Sequence, residues 1–278
     1  MFGQSDKKKI PILMYHSVSD HASRRFRPFA VSPALFADHL AYLHQHAYTP
    51  LTVTQFINAR ARGGSGLPER PVILTFDDGF ADFYTWAFPV LQKYGFNATL
   101  YVATAFVNGT SLWLHREEAN RLMLTWNQLT EISAGGIECG GHSHSHPQLD
   151  TLPLSMVCDE IVQCKRLLEH HLDQEVSSFA YPYGYHTAAI KQMVGEAGYT
   201  SACAVKYEMC SETTDPFALT RLMVRPVTSV DALATLLSSG YPTVFTEVYK
   251  RARIPVWRFA RRYSAPLLRR LQGELQYS

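Results

Sequence analysis

Two adjacent carboxylates, Asp77 and Asp78, follow the apolar run Val72-Ile-Leu-Thr-Phe76 and precede Gly79. Like charges side by side at a strand end repel. A bound cation relieves the repulsion, taking one carboxylate as ligand and leaving the other free as a base. An Asp-Gly pair is also a common turn former, and a turn alone would account for the same residues. Further along, His142-Ser-His-Ser-His146 places three imidazoles in five residues. His142 and His146 can converge on one ion from a helical turn or from a loop, with His144 pointing away; an exposed polar loop is the plainer alternative. One carboxylate and two histidines make three protein ligands with open positions for water. That is the pattern of a catalytic rather than a structural site for a divalent ion, zinc first and other transition metals after it. Tyr181-Pro-Tyr-Gly184 ends another apolar run. It reads as a simple Pro-Gly turn, or as a constrained loop that aims a backbone N–H at an oxyanion.

The elements that must hold these groups alternate along the 278 residues. Apolar runs predict strands over 10–15, 72–76, 98–103, 137–139, 176–180, 199–205 and 219–225. Helical patterns predict helices behind Ser32-Pro33, over 83–94 up to Gly95, from the Thr125/Gln128 capping box to Gly135-Gly136, and over 154–172, 187–197 and 230–237. The Gly, Arg and Pro-rich stretch 60–71 reads as a loop. About seven strand–helix alternations imply a parallel sheet with right-handed crossovers. The expected fold is α/β, a (β/α) barrel of about seven strands, rather than an open doubly wound sheet. No G-x-G-x-x-G follows the first strand and no P-loop is present. Barrel enzymes place their chemistry where strands end and helices begin. His16, Asp77-Asp78, His142 to His146 and Tyr181 to Gly184 all fall at such junctions.

Composition excludes other classes. With 46% hydrophobic and 18% charged residues the chain is neither collagen-like, disordered nor a disulfide miniprotein. No run approaches the roughly 18 apolar residues of a membrane span. The start MFGQSDKKK lacks the apolar stretch of a signal peptide, so a cytoplasmic location, or a peripheral one at the inner face of a membrane, is expected. The five cysteines are odd in number and form no C-x-x-C, which predicts scattered buried thiols. The net charge of +2 hides an asymmetry: eight basic residues and no acidic ones lie between Lys250 and Arg270, leaving 18 basic against 24 acidic elsewhere. Residues 1–245 are expected to form the barrel and 246–278 a basic amphipathic tail. Residues 250–271 would lie on an anionic membrane surface, or dock on the barrel with a solvated arginine face. No nucleic-acid recognition motif accompanies the charge.

T-F-D-D-G (75–79), H-S-H-S-H (142–146) and Y-P-Y-G (181–184) together resemble the successive motifs of the polysaccharide deacetylases, carbohydrate esterase family four. The segments PILMYHSVSD, KYGFNATLYV and FALTRLMV resemble its bacterial exopolysaccharide branch, over roughly residues 10–226. The resemblance implies a distorted (β/α) barrel and metal-dependent removal of N-acetyl groups from amino sugars of a polysaccharide, glycolipid or lipid-linked glycan. It assigns Asp77 as general base, Asp78, His142 and His146 as metal ligands, and the Tyr183 N–H as oxyanion donor. Two departures stand out. Ala180 occupies the place of the family's base-pairing arginine, for which Arg221 or Arg225 would have to substitute, and the later motif carrying the general acid is missing, leaving His16 as the available acid. These departures keep open a non-catalytic carbohydrate-binding relative. A barrel hydrolase for a non-sugar amide is the third reading.

Overall fold

The computed structural model describes residues 9–114, 118–211 and 213–240. The tail expected over 246–278, with its membrane contact, lies outside the described residues. The strands are β1 (Ile12–Tyr15), β2 (Ser17–Val18), β3 (Ala30–Val31), β4 (Thr49–Leu51), β5 (Pro71–Phe76), β6 (Thr99–Val102), β7 (Glu138–Gly141), β8 (Ser178–Ala180), β9 (Ser201–Cys203) and β10 (Leu222–Met223). The helices are α1 (Pro33–Gln45), α2 (Val53–Ala61), α3 (Phe88–Tyr94), α4 (Trp126–Ala134), α5 (Leu154–Leu172), α6 (Ala188–Glu196) and α7 (Val230–Ser239).

Seven strands pair in parallel in the order β10, β1, β5, β6, β7, β8, β9, and β4 joins the start of β5. β2 and β3 form a separate parallel pair. After β9 the chain returns across the gap: Leu219 bridges Cys203, and Leu222 pairs with Leu13 of β1. That short segment joins the two sheet edges and makes the barrel expected from the alternation, distorted as the family resemblance implies.

Strand periodicity sorts the side chains into two layers. Leu13, Tyr15, Leu74, Phe76, Leu100 and Val102 belong to the large cluster shared with the helices. Ile12, Ile73, Tyr101, Ala180, Cys203 and Leu219 form a second cluster inside the barrel, with Phe56 of α2 beneath it. Asp77 shares the parity of Ile73 and Thr75, so it continues the inward-facing row at the strand's exit.

Local chemistry accounts for the helix ends. Ser32 caps α1 ahead of Pro33, and Thr125 with Gln128 closes a capping box on α4. The expected helix over 83–94 is instead split. Pro89 has no N–H to give to the carbonyl four residues back. The preceding turn, Phe83–Ala87, widens to π geometry, with the Phe88 N–H reaching the Phe83 carbonyl, before α3 runs on to Gly95 at φ 61°. β2, β3, β4 and α2 lie outside the elements expected from the sequence. β4 has only three residues, one of them Pro50, but the capping box Thr52/Gln55 that opens α2 was a legible signal. Four cysteines are buried as expected; Cys158 is exposed on α5.

β7 exits through Gly140-Gly141 because the barrel wall there has no room for a side chain. A Cβ on Gly140 would lie 2.6 Å from the Tyr101 ring and 2.8 Å from Ser178 Oγ. Gly140→Ala is expected to cost about 1–3 kcal/mol by overpacking. Chemical denaturation reads this directly, and an unchanged midpoint would show that the wall yields.

Candidate active site

The chemistry-bearing residues meet at the C-terminal end of the barrel. β1 delivers His16, β5 delivers Asp77 and Asp78, β7 delivers His142 to His146, β8 delivers the Pro182–Gly184 turn, and Arg221 enters just ahead of β10. Asp77 and Asp78 are 3% and 5% exposed, so neither relies on water to hold its charge. The backbone separates them. Asp78 sits in the left-handed region at φ 78° and Gly79 at φ 83°, which breaks the strand so that the two carboxylates meet different partners.

Asp77 faces Arg221. Nη1 donates to Oδ1 at 2.6 Å and Nη2 to Oδ2 at 2.8 Å, a bidentate fork with Arg221 wholly buried. Arg221 also donates to Thr75 Oγ1 and to the Ala204 carbonyl, both at 3.2 Å, and lies over the Tyr101 ring. Burial opposes ionisation of Asp77, but Arg221 above all, then His142 and His16, holds its pKa below the ordinary value. Of the two arginines named from the sequence it is therefore Arg221, not Arg225, that pairs with Asp77. Thr75, the first residue of the T-F-D-D-G run, was missed as a partner of that arginine. Nothing in the spacing marks it.

Asp78 faces the imidazoles. Its Oδ1 lies 3.3 Å from His142 Nε2 and 3.2 Å from His146 Nε2. One ligand atom from each of Asp78, His142 and His146 lies within 4.8 Å of the others, and all three residues are buried. Burial opposes the Asp78 charge, yet the facing imidazoles of His142 and His146 keep its pKa well below the ordinary range. The loop is not helical: Ser143 and His146 take φ values of 62° and 56°. His144 turns away to the Thr104 hydroxyl at 2.9 Å.

The donor set fits a divalent cation. His142 Nδ1 lies 2.7 Å from the Ala180 carbonyl, an acceptor only, so Nδ1 carries the hydrogen. The Nε2 of the neutral ring then presents a lone pair toward a carboxylate oxygen. Two acceptors facing one another are unfavourable unless a cation or a proton stands between them, and an outward-anchored imidazole is how metal-binding histidines are oriented.

Aromatic rings wall the cluster. Tyr183, at φ 61°, lies with its ring 4.9 Å from that of His146. The ring is half-exposed, and desolvation on its inner side together with the Asp78 charge pushes its phenol up to about 12, so it stays protonated. Gly184 is required behind it, because a Cβ there would lie 2.7 Å from Val205. Trp113, from the loop after β6, packs 5.0 Å from His146; no sequence signal pointed to it. His16 rests edge-on against Phe29 at 5.2 Å. Burial lowers its pKa, and Asp78 and Asp77 offset this only in part.

A family model for polysaccharide deacetylase matches residues 64–202, half of the chain. The YxkH protein of Bacillus subtilis is 29% identical over 231 residues, 83% of this chain and 77% of that one. The poly-beta-1,6-N-acetyl-D-glucosamine N-deacetylase of Staphylococcus epidermidis is 25% identical over 240 residues, 83% of this chain and 78% of that enzyme. Among solved structures, the Streptococcus pyogenes deacetylase PplD in complex with acetate superposes with a TM-score of 0.74 at 26% identity, over 84% of this chain and 99% of that one. The matched segment contains Asp77, Asp78, His142, His146 and Tyr183, and on these grounds the chain belongs to the polysaccharide deacetylase family.

Proposed function

We propose that this chain is a metal-dependent N-deacetylase that removes acetyl groups from amino sugars of a polysaccharide, glycolipid or lipid-linked glycan and releases acetate. One observation carries the reading: two adjacent buried carboxylates have opposite partner sets, a guanidinium on Asp77 and two imidazoles on Asp78. The relatives named as deacetylases of poly-N-acetylglucosamine support an N-acetylated glycan as substrate.

Asp78, His142 and His146 would hold a divalent ion, zinc first among the candidates, which supplies Lewis acidity toward the acetyl carbonyl and the attacking water. Asp77, kept anionic and aimed by Arg221, takes a proton from that water. The tetrahedral oxyanion that follows accepts a hydrogen bond from the Tyr183 N–H, presented by the left-handed turn. His16 is the imidazole at the site outside the ligand set. Neutral at rest, it would first receive the proton that Asp77 collects from the water and then pass that proton to the departing sugar nitrogen. Arg221 answers the departure at Ala180: the charge expected from one strand arrives from another. This weakens the case for a non-catalytic carbohydrate-binding relative. Trp113 and Tyr183 supply aromatic surface beside the site, which suits a sugar ring better than a compact non-sugar amide.

Acetate release from N-acetylglucosamine oligomers should stop on chelation and return with zinc. Asp77→Asn should lower kcat about 10²–10⁴-fold, the usual contribution of a general base, while leaving metal content intact. Metal-replete protein that releases no acetate from any N-acetylhexosamine glycan would rule the reading out.

Arg221 should be visible in pH dependence. A carboxylate whose folded pKa is depressed contributes stability above its ordinary value of 3.8, and that stability is lost as pH falls through the folded value. Without the guanidinium, burial dominates and the Asp77 pKa rises. Arg221→Met should therefore move the acid limb of kcat/KM to higher pH. It should also cost about 3–5 kcal/mol, as for any buried pair stripped of one partner. An unmoved acid limb in folded variant would separate Arg221 from the base.

A further inference from the structure

The ligand loop between His142 and His146 is irregular, so its shape depends on what grips it. On one side the grip comes from β6 and the turn after it. His142 N–H donates to the Val102 carbonyl at 3.0 Å, and Ala105 N–H donates to the His144 carbonyl at 2.8 Å. Within the loop, His146 N–H donates to Ser143 Oγ at 3.0 Å. On the other side the grip comes from Glu160 of α5. Its Oε2 accepts the Ser145 N–H at 2.7 Å, its Oε1 accepts the Ser145 hydroxyl, and its main-chain carbonyl accepts the His144 N–H at 3.0 Å. One residue thus holds the two consecutive positions that precede His146, with a charge-assisted pair of bonds on the nearer.

We propose that Glu160 is a positioning residue for the metal centre: by clamping Ser145 it fixes His146 at the separation from His142 and Asp78 that a single ion requires. The inference rests on the metal reading above and extends it to a residue outside the ligand set. The physical ground is the backbone. His146 at φ 56° and Ser143 at φ 62° are held in a sparsely populated region that costs free energy and persists only where surrounding contacts over-determine it. Release of Ser145 lets the loop relax toward ordinary dihedrals and carries the His146 ring away from Asp78. His142 is less exposed to this effect, because the Ala180 carbonyl and the Val102 carbonyl hold it independently.

The test is zinc affinity of the purified full chain, measured by competition with a chromophoric chelator, with the cobalt-substituted absorption spectrum as a second readout. Glu160→Ala should weaken zinc binding about 10–100-fold, the usual effect of losing a residue that orients a ligand, and should change the cobalt spectrum. Glu160→Gln can still accept the Ser145 N–H and meet its hydroxyl, so it should stay within a few-fold of the parent. Melting temperature in excess chelator reads any general loss of stability separately. A Glu160→Ala variant that melts earlier but binds zinc as tightly as the parent would overturn the proposal. If that variant does not fold, Ser145→Ala decides. It removes one of the two side-chain bonds, so a several-fold loss of affinity supports the proposal and unchanged affinity overturns it. Failure of the parent itself to bind zinc would refute the metal reading instead.

Discussion

Everything at the mouth of the barrel depends on keeping two neighbouring buried carboxylates apart. Asp77 and Asp78 are consecutive, nearly inaccessible to water, and would repel strongly if they shared surroundings. The left-handed backbone at Asp78 prevents that sharing. One carboxylate continues the inward row of β5 and meets a guanidinium; the other leaves the row and meets two imidazoles. The strain at this residue is part of the site's construction, and it recurs at Ser143, His146 and Tyr183.

The barrel supplies the partners that this separation needs. Parallel pairing of β5, β6, β7 and β8 brings the exits of distant segments to one end. The return of the chain from Leu219 to Leu222 closes the wall and carries Arg221 into the interior. Burying a guanidinium is costly unless its hydrogens are used; here Asp77, Thr75 and the Ala204 carbonyl use them. The Ala180 carbonyl at the exit of β8 fixes the tautomer of His142. The same position thus lacks the arginine expected from the family and anchors a ligand through its main chain.

Much of this was legible in the residues. The carboxylate pair, the spaced histidines and the Pro-Gly turn announced themselves because their chemistry is local and because each follows an apolar run. The alternation of runs predicted the barrel, and capping residues placed the starts of α1 and α4. What escaped notice was set by tertiary contact. Thr75 matters because Arg221 arrives from 146 residues away, and Trp113 because its loop folds back onto His146. Glu160 looks like an ordinary helix residue until the ligand loop is seen resting on it. The π turn before α3 follows from Pro89, whose effect on the preceding carbonyl was readable, as was the capping box at Thr52 that opens α2.

The central claim is a division of labour between the two carboxylates, and locating the ion tests it most directly. A crystal of the zinc-loaded chain, with anomalous diffraction collected on both sides of the zinc edge, should show one peak bounded by Asp78, His142 and His146. Asp77 should remain on Arg221 outside the coordination shell. An ion bound by both aspartates, or no ion at the three ligands in zinc-saturated protein, would contradict the account.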